Sequence, residues 1–300
     1  MLRSMKELEG YALRATDGDI GHVKDCYFDD EAWVVRYLVV ETGSWLSSRK
    51  VLISPMAIGH PDWADRVLPT PITKEQVKNS PNIDTDKPVS RQHERQYLDY
   101  YAYPYYWGGV GLWGMGMYPG AMLGVGYGGL SVNAVRDRAE AERGEDGDPH
   151  LRSCKEVMTY RIEATDGDMG HVQGLLLDED TWAIRYLIVE TSNWWLGHQV
   201  LIAPRWIHDV SWSDSAVSVG LTRRAVKDAP PYDSAVPPSR DQEMDLYQHH
   251  GRNGYWTDEA KFESPQIRGN GPAAQAAAQA QMASMRPRAL VWVGPNGTSG

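Results

Sequence analysis

The side chains that could support chemistry occur in pairs separated by 149 positions. Asp17 and Asp19 correspond to Asp166 and Asp168, and carboxylates this close together could bind Ca²⁺. An EF-hand loop needs further oxygen ligands and a bidentate glutamate at its twelfth position, which neither acidic pair has. Each pair instead flanks a glycine between two strand-like runs. We therefore interpret these carboxylates as turn residues.

A histidine is duplicated as well, as His22 and His171. Each stands alone at the expected start of a strand, whereas a metal site needs three or four convergent ligands. We interpret both as structural or surface residues, with a pH-sensitive contact as the alternative. The sequence therefore predicts no metal site and no cofactor site.

Two arginines, Arg36 and Arg185, lie in strand-like runs on the same face as apolar residues. A guanidinium in that position requires a carboxylate, such as Glu41 or Asp29, from its own or a neighbouring strand. This pattern indicates a structural role for both arginines.

Two cysteines, Cys26 and Cys154, each align with an apolar residue of the other copy. This favours small buried side chains over a nucleophile or a disulfide, and a reducing cytoplasm is the matching expectation. The sequence has no Gly-rich phosphate loop, no nucleophile elbow and no paired-cysteine spacing. We therefore expect a protein that is not an enzyme.

These pairs belong to a duplication that covers most of the chain. Residues 2–107 align without a gap to residues 151–256, and 41 of the 106 positions are identical. A copy of this length can bury its own core, whereas solenoid repeats are several times shorter. The predicted parts are repeat 1 with a helical extension (1–107), a Gly/aromatic then charged linker (108–150), repeat 2 with its extension (151–256) and a disordered low-complexity tail (257–300).

Each repeat is predicted to form about six short strands followed by two small helices. The first hairpin carries an Asp-Gly pair between two strand-like runs, and glycine supplies the positive φ that tight turns require. The expected turn residues are Asp17, Gly18, Gly21, Asp166, Gly167 and Gly170.

The strand that contains Tyr37 to Val40 is apolar on both faces, as is its counterpart in the second repeat. A single barrel covers only the inner face of a strand, so we expect the outer face to pack against the other repeat. The residues predicted to make this contact are Tyr37, Val39, Tyr186 and Ile188.

Three motifs of the first repeat resemble the PRC-barrel family: Asp-Gly-Asp-Ile-Gly-His-Val (17–23), Arg-Tyr-Leu-Val-Val-Glu-Thr (36–42) and Val-Leu-Ile-Ser-Pro (51–55). This family includes the cytoplasmic domain of the photosynthetic reaction-centre H subunit and the C-terminal domain of a ribosome-maturation factor. The resemblance covers residues 2–82 and 151–231. It implies a mainly β bacterial protein with two homologous six-stranded barrels, each followed by short helices. Because each barrel has a strand that is apolar on both faces, we predict that the two barrels pack as an intramolecular pseudo-dimer. It also implies binding and assembly rather than catalysis.

A stretch that runs from the end of repeat 1 into the linker, residues 100–135, has no charged residue and is rich in glycine, tyrosine and tryptophan. Its length would suit a membrane span, but ten glycines between Gly108 and Gly129 and a central proline make a poor helix. We therefore predict a flexible linker whose aromatic side chains lie on the barrels or contact a partner. The candidate partner contacts are Tyr105, Tyr106, Trp107, Trp113 and Tyr118.

The net charge of -10 repels phosphate and argues against sequence-independent binding to nucleic acid. The first residues contain no apolar run of the length that a secretory signal needs. We predict a cytoplasmic, non-catalytic scaffold or adaptor that binds a protein partner or a second copy of the chain. The alternative is a peripheral membrane or photosynthetic reaction-centre assembly or electron-transfer-associated factor resembling the H subunit. An enzyme of unknown type is the third interpretation.

Overall fold

The computed structural model describes residues 1–81, 89, 91–107, 109, 111–114, 116–120, 150–191 and 198–262. Within these residues the protein is mainly β, with thirteen strands in two separate sheets and seven short α-helices. None of these helices is long and apolar enough to cross a membrane. Most of the predicted tail and of the charged part of the linker lie outside the described residues.

The same order of elements occurs twice, except that β12 and α7 are found in the second half alone among the described residues. The first half consists of β1 (Leu2–Ser4), α1 (Met5–Leu8), β2 (Ala12–Ala15), β3 (Gly18–Asp29), β4 (Val34–Thr42), β5 (Lys50–Ile53), β6 (Val67–Pro69), α2 (Lys74–Lys78) and α3 (Arg91–Tyr100). The second half consists of β7 (Leu151–Ser153), α4 (Cys154–Val157), β8 (Arg161–Ala164), β9 (Gly167–Asp178), β10 (Ile184–Glu190), β11 (Gln199–Ile202), β12 (Ile207–Ser211), β13 (Ala216–Val219), α5 (Arg223–Lys227), α6 (Arg240–His249) and α7 (Tyr255–Phe262).

The first sheet has the strand order β5-β4-β3-β2-β6, and the second has the order β11-β10-β9-β8-β13-β12. The β2–β6 and β8–β13 pairs are parallel, and the other pairs along these paths are antiparallel. The predicted closure into two barrels is not seen, because no pairing among the described strands joins the two edges of either sheet. The edge strands β5 and β11 are followed closely by Pro55 and Pro204, which have no N–H to extend a ladder.

Each half gives its first strand to the sheet of the other half. Strand β1 pairs antiparallel with β9, and β7 pairs antiparallel with β3. Matching ion pairs support both exchanges, since Arg3 Nε lies 2.6 Å from a Glu179 carboxylate oxygen and Arg152 Nε lies 2.8 Å from one of Asp30. The buried apolar side chains of both halves form one continuous cluster. The two halves are therefore packed together as a unit.

The strands β4 and β10 also meet across the boundary between the halves. The N–H of Val35 donates to the Trp182 carbonyl oxygen at 2.8 Å, and the N–H of Ile184 donates to the Trp33 carbonyl oxygen at 2.7 Å. These reciprocal hydrogen bonds lie at the beginnings of the two strands. The contact between β4 and β10 is therefore made by main-chain groups near residues 33–35 and 182–184.

The predicted packing of Tyr37 and Tyr186 against the other half is corrected by their contacts. Both side chains are buried, but Tyr37 packs edge-on against Tyr97 of α3, with ring centroids 5.0 Å apart. Tyr186 donates a hydrogen bond of 2.8 Å to Glu243 of α6. Val39 and Ile188 follow two positions later on the same strand faces. The helices α3 and α6 therefore cover the face that was expected to meet the other repeat.

The predicted turn residues lie in the β2–β3 and β8–β9 hairpins. Gly18 and Gly167 each have a φ of +129°, a backbone conformation that residues with a side chain rarely adopt. In the first hairpin, Asp17 Oδ1 accepts the N–H of Lys74 at 2.8 Å. The carboxylate thereby ties the hairpin to the first residue of α2, and Asp166 makes the same contact to α5 at 2.7 Å.

Gly21 and Gly170 serve a different purpose, which is close approach between strands. A Cβ atom at Gly21 would lie 2.0 Å from the Glu41 carbonyl oxygen, and one at Gly170 would lie 2.0 Å from that of Glu190. A contact shorter than 3.0 Å to backbone forces the strands apart. These positions therefore require glycine so that β3 can pair closely with β4, and β9 with β10.

Candidate binding cleft between the two halves

Two buried polar clusters occupy equivalent places in the two halves. Each contains an arginine, an aspartate, a glutamate and two tyrosines, all identical between the aligned repeats. The first cluster consists of Asp29, Arg36, Tyr37, Glu94 and Tyr106, and the second of Asp178, Arg185, Tyr186, Glu243 and Tyr255.

In the first cluster, Arg36 of β4 lies at the centre and is only 2% exposed. Its Nη2 is 3.2 Å from Asp29 Oδ2, and its Nη1 donates to the Leu112 carbonyl oxygen at 2.6 Å. The guanidinium also lies 3.9 Å from the centre of the Tyr106 ring. Of the carboxylates predicted as partners, Asp29 forms the ion pair, whereas Glu41 pairs with Lys24.

Tyr106 connects Arg36 of β4 to Glu94 of α3. The Tyr106 hydroxyl donates to the carboxylate of Glu94, which is fully buried, and His150 Nε2 lies 2.6 Å from the other oxygen of that carboxylate. Burial, followed by the nearby Glu94 charge, raises the pKa of Tyr37 well above its usual value. The Tyr37 hydroxyl therefore stays protonated at neutral pH.

The second cluster repeats this geometry around Arg185. Its Nη2 is 2.9 Å from Asp178 Oδ2, and its guanidinium lies 4.0 Å from the centre of the Tyr255 ring. Glu243 accepts hydrogen bonds from Tyr255 at 2.9 Å and from Tyr186 at 2.8 Å. The same residue types therefore hold the sheet to the following segment in both halves.

The electrostatics of the second cluster indicate a structural ion pair. Burial alone would raise the pKa of Asp178, but the charge and hydrogen bonds of Arg185 outweigh burial and lower it. Burial raises the pKa of Glu243, and hydrogen bonds from Tyr186 and Tyr255 offset part of that increase. Asp178 is therefore a fixed anion at neutral pH.

The clusters differ in what covers the arginine. In the first half, residues 111–114, 116 and 117 of the glycine-rich segment turn over Arg36, with bridges between Gly111 and Gly114 and between Trp113 and Gly116. Trp113 is 1% exposed, and the Arg36 guanidinium lies 4.7 Å from the centre of its ring. The indole N–H donates to the Thr181 carbonyl oxygen of the second half at 2.8 Å. This segment therefore joins both halves.

In the second half, no such segment lies on Arg185 among the described residues. Glu259 of α7 instead binds Arg185 Nη1 at 2.6 Å, in place of the Leu112 carbonyl. Beside this pair is a cleft of about 650 Å³ between the halves. Residues that line it include Ala32, Trp33, Arg185, Trp212, Tyr255 and Glu259.

Alignment of the repeats shows which surface this cleft corresponds to. Ala32 aligns with Thr181, and Tyr255 aligns with Tyr106. The cleft beside Arg185 is therefore the counterpart of the site beside Arg36 that Trp113 fills. Sequence reasoning missed the cleft, although the identity of all five cluster positions between the repeats was a readable signal.

The predicted partner contacts divide into two groups. Tyr106 and Trp113 are corrected, because both are buried by contacts within the chain and no partner can reach them. Tyr105, Trp107 and Tyr118 are half-buried, and the first two stack with ring centroids 4.7 Å apart. The aromatic segment therefore docks on the protein itself over residues 103–107, 111–114, 116 and 117.

The other side chains considered for chemistry lie apart from the cleft. His22 is exposed, and His171 Nε2 is 3.6 Å from Glu190. Burial raises the pKa of Cys26 and of Cys154 well above the usual thiol value, which opposes formation of a nucleophilic thiolate. The part of the chain that the structure describes contains no group of three or more His, Cys, Asp or Glu side chains arranged to hold a metal ion.

Comparisons with known proteins agree with the sheet of the first half. Residues 3–73 match the family model of the PRC-barrel domain, so a domain of this kind is present there. A stretch of 105 residues is 34% identical to an uncharacterised protein of Deinococcus radiodurans. That match covers 31% of this chain and 38% of the relative's length. The relative's name gives no activity.

Proposed function

We propose that the chain is a non-catalytic protein-binding scaffold built from two PRC-type barrel domains that act as one unit. The proposal is supported by the PRC-barrel domain at residues 3–73 and by the alignment of the two repeats. The exchange of β1 and β7 between the sheets supports the single unit. A domain of this family suggests interaction or assembly.

The observation that carries the proposal is the open cleft beside Arg185. Its volume of about 650 Å³ suits a small ligand or a few side chains of a partner. Its wall presents Trp33, Trp212 and Tyr255 together with arginine, and aromatic residues and arginine are enriched in protein interfaces. The matching site of the first half already accepts an aromatic peptide segment. We therefore assign the partner surface to this cleft.

The ionisable groups of the cleft favour binding over catalysis. Arg185 is held by Asp178 and Glu259, and Arg205 lies 2.7 Å from Asp258. Such paired groups hold their geometry and charge, which suits recognition of a fixed surface. We include a cytoplasmic location in the proposal, since both cysteines are free thiols.

The membrane alternative has less support than the scaffold. It placed the aromatic linker against a bilayer, but Tyr106 and Trp113 are buried in the protein. The described part of that segment therefore offers fewer exposed aromatic side chains than its composition suggests.

Site-specific photo-crosslinking tests the scaffold function. A photoreactive phenylalanine analogue in place of Asp209, an exposed residue at the cleft, is compared with one in place of His60, its exposed counterpart in the first half. In cells of the source organism, we expect discrete heavier adducts from position 209 only. A product of twice the chain's mass would identify a second copy as the partner. Equal adducts from both positions, or none from position 209, would reject the cleft as the partner surface.

A further inference from the structure

The site of Trp113 defines what a tryptophan needs in order to dock between the halves. Its indole N–H donates to the Thr181 carbonyl oxygen of one half, and its ring lies over the Arg36 guanidinium of the other. The first interaction satisfies the buried N–H, and the second places a cation against the π face of the ring. A carbonyl and a guanidinium from opposite halves are therefore the recognition elements.

Ala32 and Arg185, the counterparts of Thr181 and Arg36, both line the cleft beside Arg185. Ala32, which aligns with Thr181, is exposed and lines the cleft, and no described residue donates a hydrogen bond to its carbonyl oxygen. Arg185 lines the cleft from the other half, as Arg36 does at the filled site. The residues that correspond to the two partners of Trp113 therefore occur again at an open cleft, which indicates an occupant that carries an indole.

We propose that this cleft binds a tryptophan-bearing apolar segment, and that the occupant is residues 290–293 of the same chain, Leu-Val-Trp-Val. Trp292 is the one tryptophan after Trp256, and it lies between apolar residues just before a Gly-Pro-Asn-Gly stretch. Trp113 also lies in a glycine-rich stretch, and a leucine precedes both tryptophans, Leu112 by one position and Leu290 by two. This proposal goes beyond the scaffold function, because the docking occurs whether or not a partner competes for the cleft.

The charges of the two sides are complementary. Five carboxylates line the cleft against two guanidiniums. Residues 264–300 contain three arginines and no acidic residue, and two of those arginines, Arg286 and Arg288, come shortly before Leu290. The net negative charge of the cleft and the net positive charge of residues 264–300 favour binding of this segment to the cleft.

The connection is long enough and starts at the right place. Helix α7, which ends at Phe262, supplies Asp258 and Glu259 to the wall of the cleft. Thirty residues then lead to Trp292, and a coil of that length has a root-mean-square span of about 30 Å. Tethering at this distance gives an effective concentration of roughly millimolar, so a modest intrinsic affinity is sufficient.

The test uses the purified full chain with the photoreactive analogue at position 209, and the chain with the analogue at position 60 as the matched control. After irradiation and digestion, we expect mass spectrometry to find the peptide that contains Trp292 linked to position 209 in the monomer. Trp292→Gly should lower that yield about tenfold, because the ring contacts and the indole hydrogen bond are lost.

Several outcomes would overturn the proposal. These are no link from position 209 to the tail, an equal yield from position 60, or no effect of Trp292→Gly. A link found only in covalent dimers would assign the cleft to a second copy and also reject the in-chain occupant. A tail link in the purified chain without partner adducts in cells would remove the scaffold function and leave tail docking intact, so the two proposals fail separately.

Discussion

The sites beside Arg36 and Arg185 are built from the same residues, yet one is filled and the other is open. Both arginines bind an aspartate and lie on a tyrosine ring. Leu112 and Trp113 then cover the first, whereas Glu259 binds the second from α7. In both halves the cluster therefore anchors the segment that follows the sheet, and the conformation of that segment determines whether a cleft remains.

The difference follows from the residues after the shared Tyr-Trp pair. After Trp107 the chain continues with Gly-Gly-Val-Gly, which disfavours helix and permits the tight turns over Arg36. After Trp256 it continues with Thr-Asp-Glu-Ala-Lys, which contains good helix formers. The resulting helix α7 keeps Glu259 beside Arg185, and a cleft remains open there.

Removal of the buried cation should have the largest effect and should differ between the sites. Arg36→Met leaves Asp29, which is almost fully buried, without its ion-pair partner and should cost about 3 to 5 kcal/mol of unfolding free energy. Arg185→Met should cost less, roughly 1 to 3 kcal/mol, because water reaches part of Asp178 and Glu259. Urea unfolding measures both, and an equal or larger loss for Arg185→Met would contradict the comparison.

Trp113→Ala should convert the filled site into an open one. Loss of the buried indole should cost about 2 to 4 kcal/mol and should increase hydrogen exchange near Arg36. Leu112→Ala is the matched control, since the described contact of Leu112 with Arg36 uses its carbonyl oxygen, which the substitution keeps. If both substitutions shift the unfolding midpoint equally, Trp113 does not anchor the segment.

Substitution of the equivalent glycines Gly21 and Gly170 should separate two contributions to the loss of stability, which are the steric clash and the backbone strain. Gly21→Ala places a methyl group against the Glu41 carbonyl and should cost roughly 1 to 3 kcal/mol. Gly170→Ala meets the same contact at Glu190, and its φ of +147° adds about 1 kcal/mol. Thermal or urea unfolding ranks the two variants. A smaller loss for Gly170→Ala would show that the two halves relax differently at this close approach between strands.

His250 should make the protein sensitive to acid, and its counterpart in the first half is Tyr101. Burial, then the charges of His249 and Arg252, lower the pKa of His250 to about 4, from 6.5. Between these values the unfolded chain binds a proton that the folded chain does not, so stability falls as the pH drops through this window. Allowing for solvent screening, the loss is roughly 1 kcal/mol.

His250→Tyr should remove that part of the pH dependence. The variant and the unmodified chain are compared by urea unfolding at pH 7 and pH 5, and the carboxylates that titrate in both chains cancel in the difference. An identical loss of stability on acidification in the two chains would show that His250 does not contribute.

Much of the architecture could be predicted from the sequence, because local signals are strong where it repeats. The repeated element order and a carboxylate partner for Arg36 followed from alternation and from residue chemistry. The exchange of first strands between the halves could not be predicted, because Leu2–Ser4 would suit an edge of either sheet equally well. The packing of α3 and α6 on β4 and β10 could not be predicted either, because periodicity shows that a strand face is buried but not which element buries it. The cleft depends on how the halves pack, which no local pattern encodes.

The central claim, one filled and one open copy of the same site, is tested most directly by counting peptide sites. The probe is the peptide Gly-Leu-Trp-Gly-Met-Gly-Met, which has the sequence of residues 111–117, titrated into the full chain and followed by calorimetry or NMR. The account predicts one site in a Trp292→Gly chain and two in a Trp113→Ala, Trp292→Gly chain. No binding to the first chain, or the same number of sites in both, would contradict it.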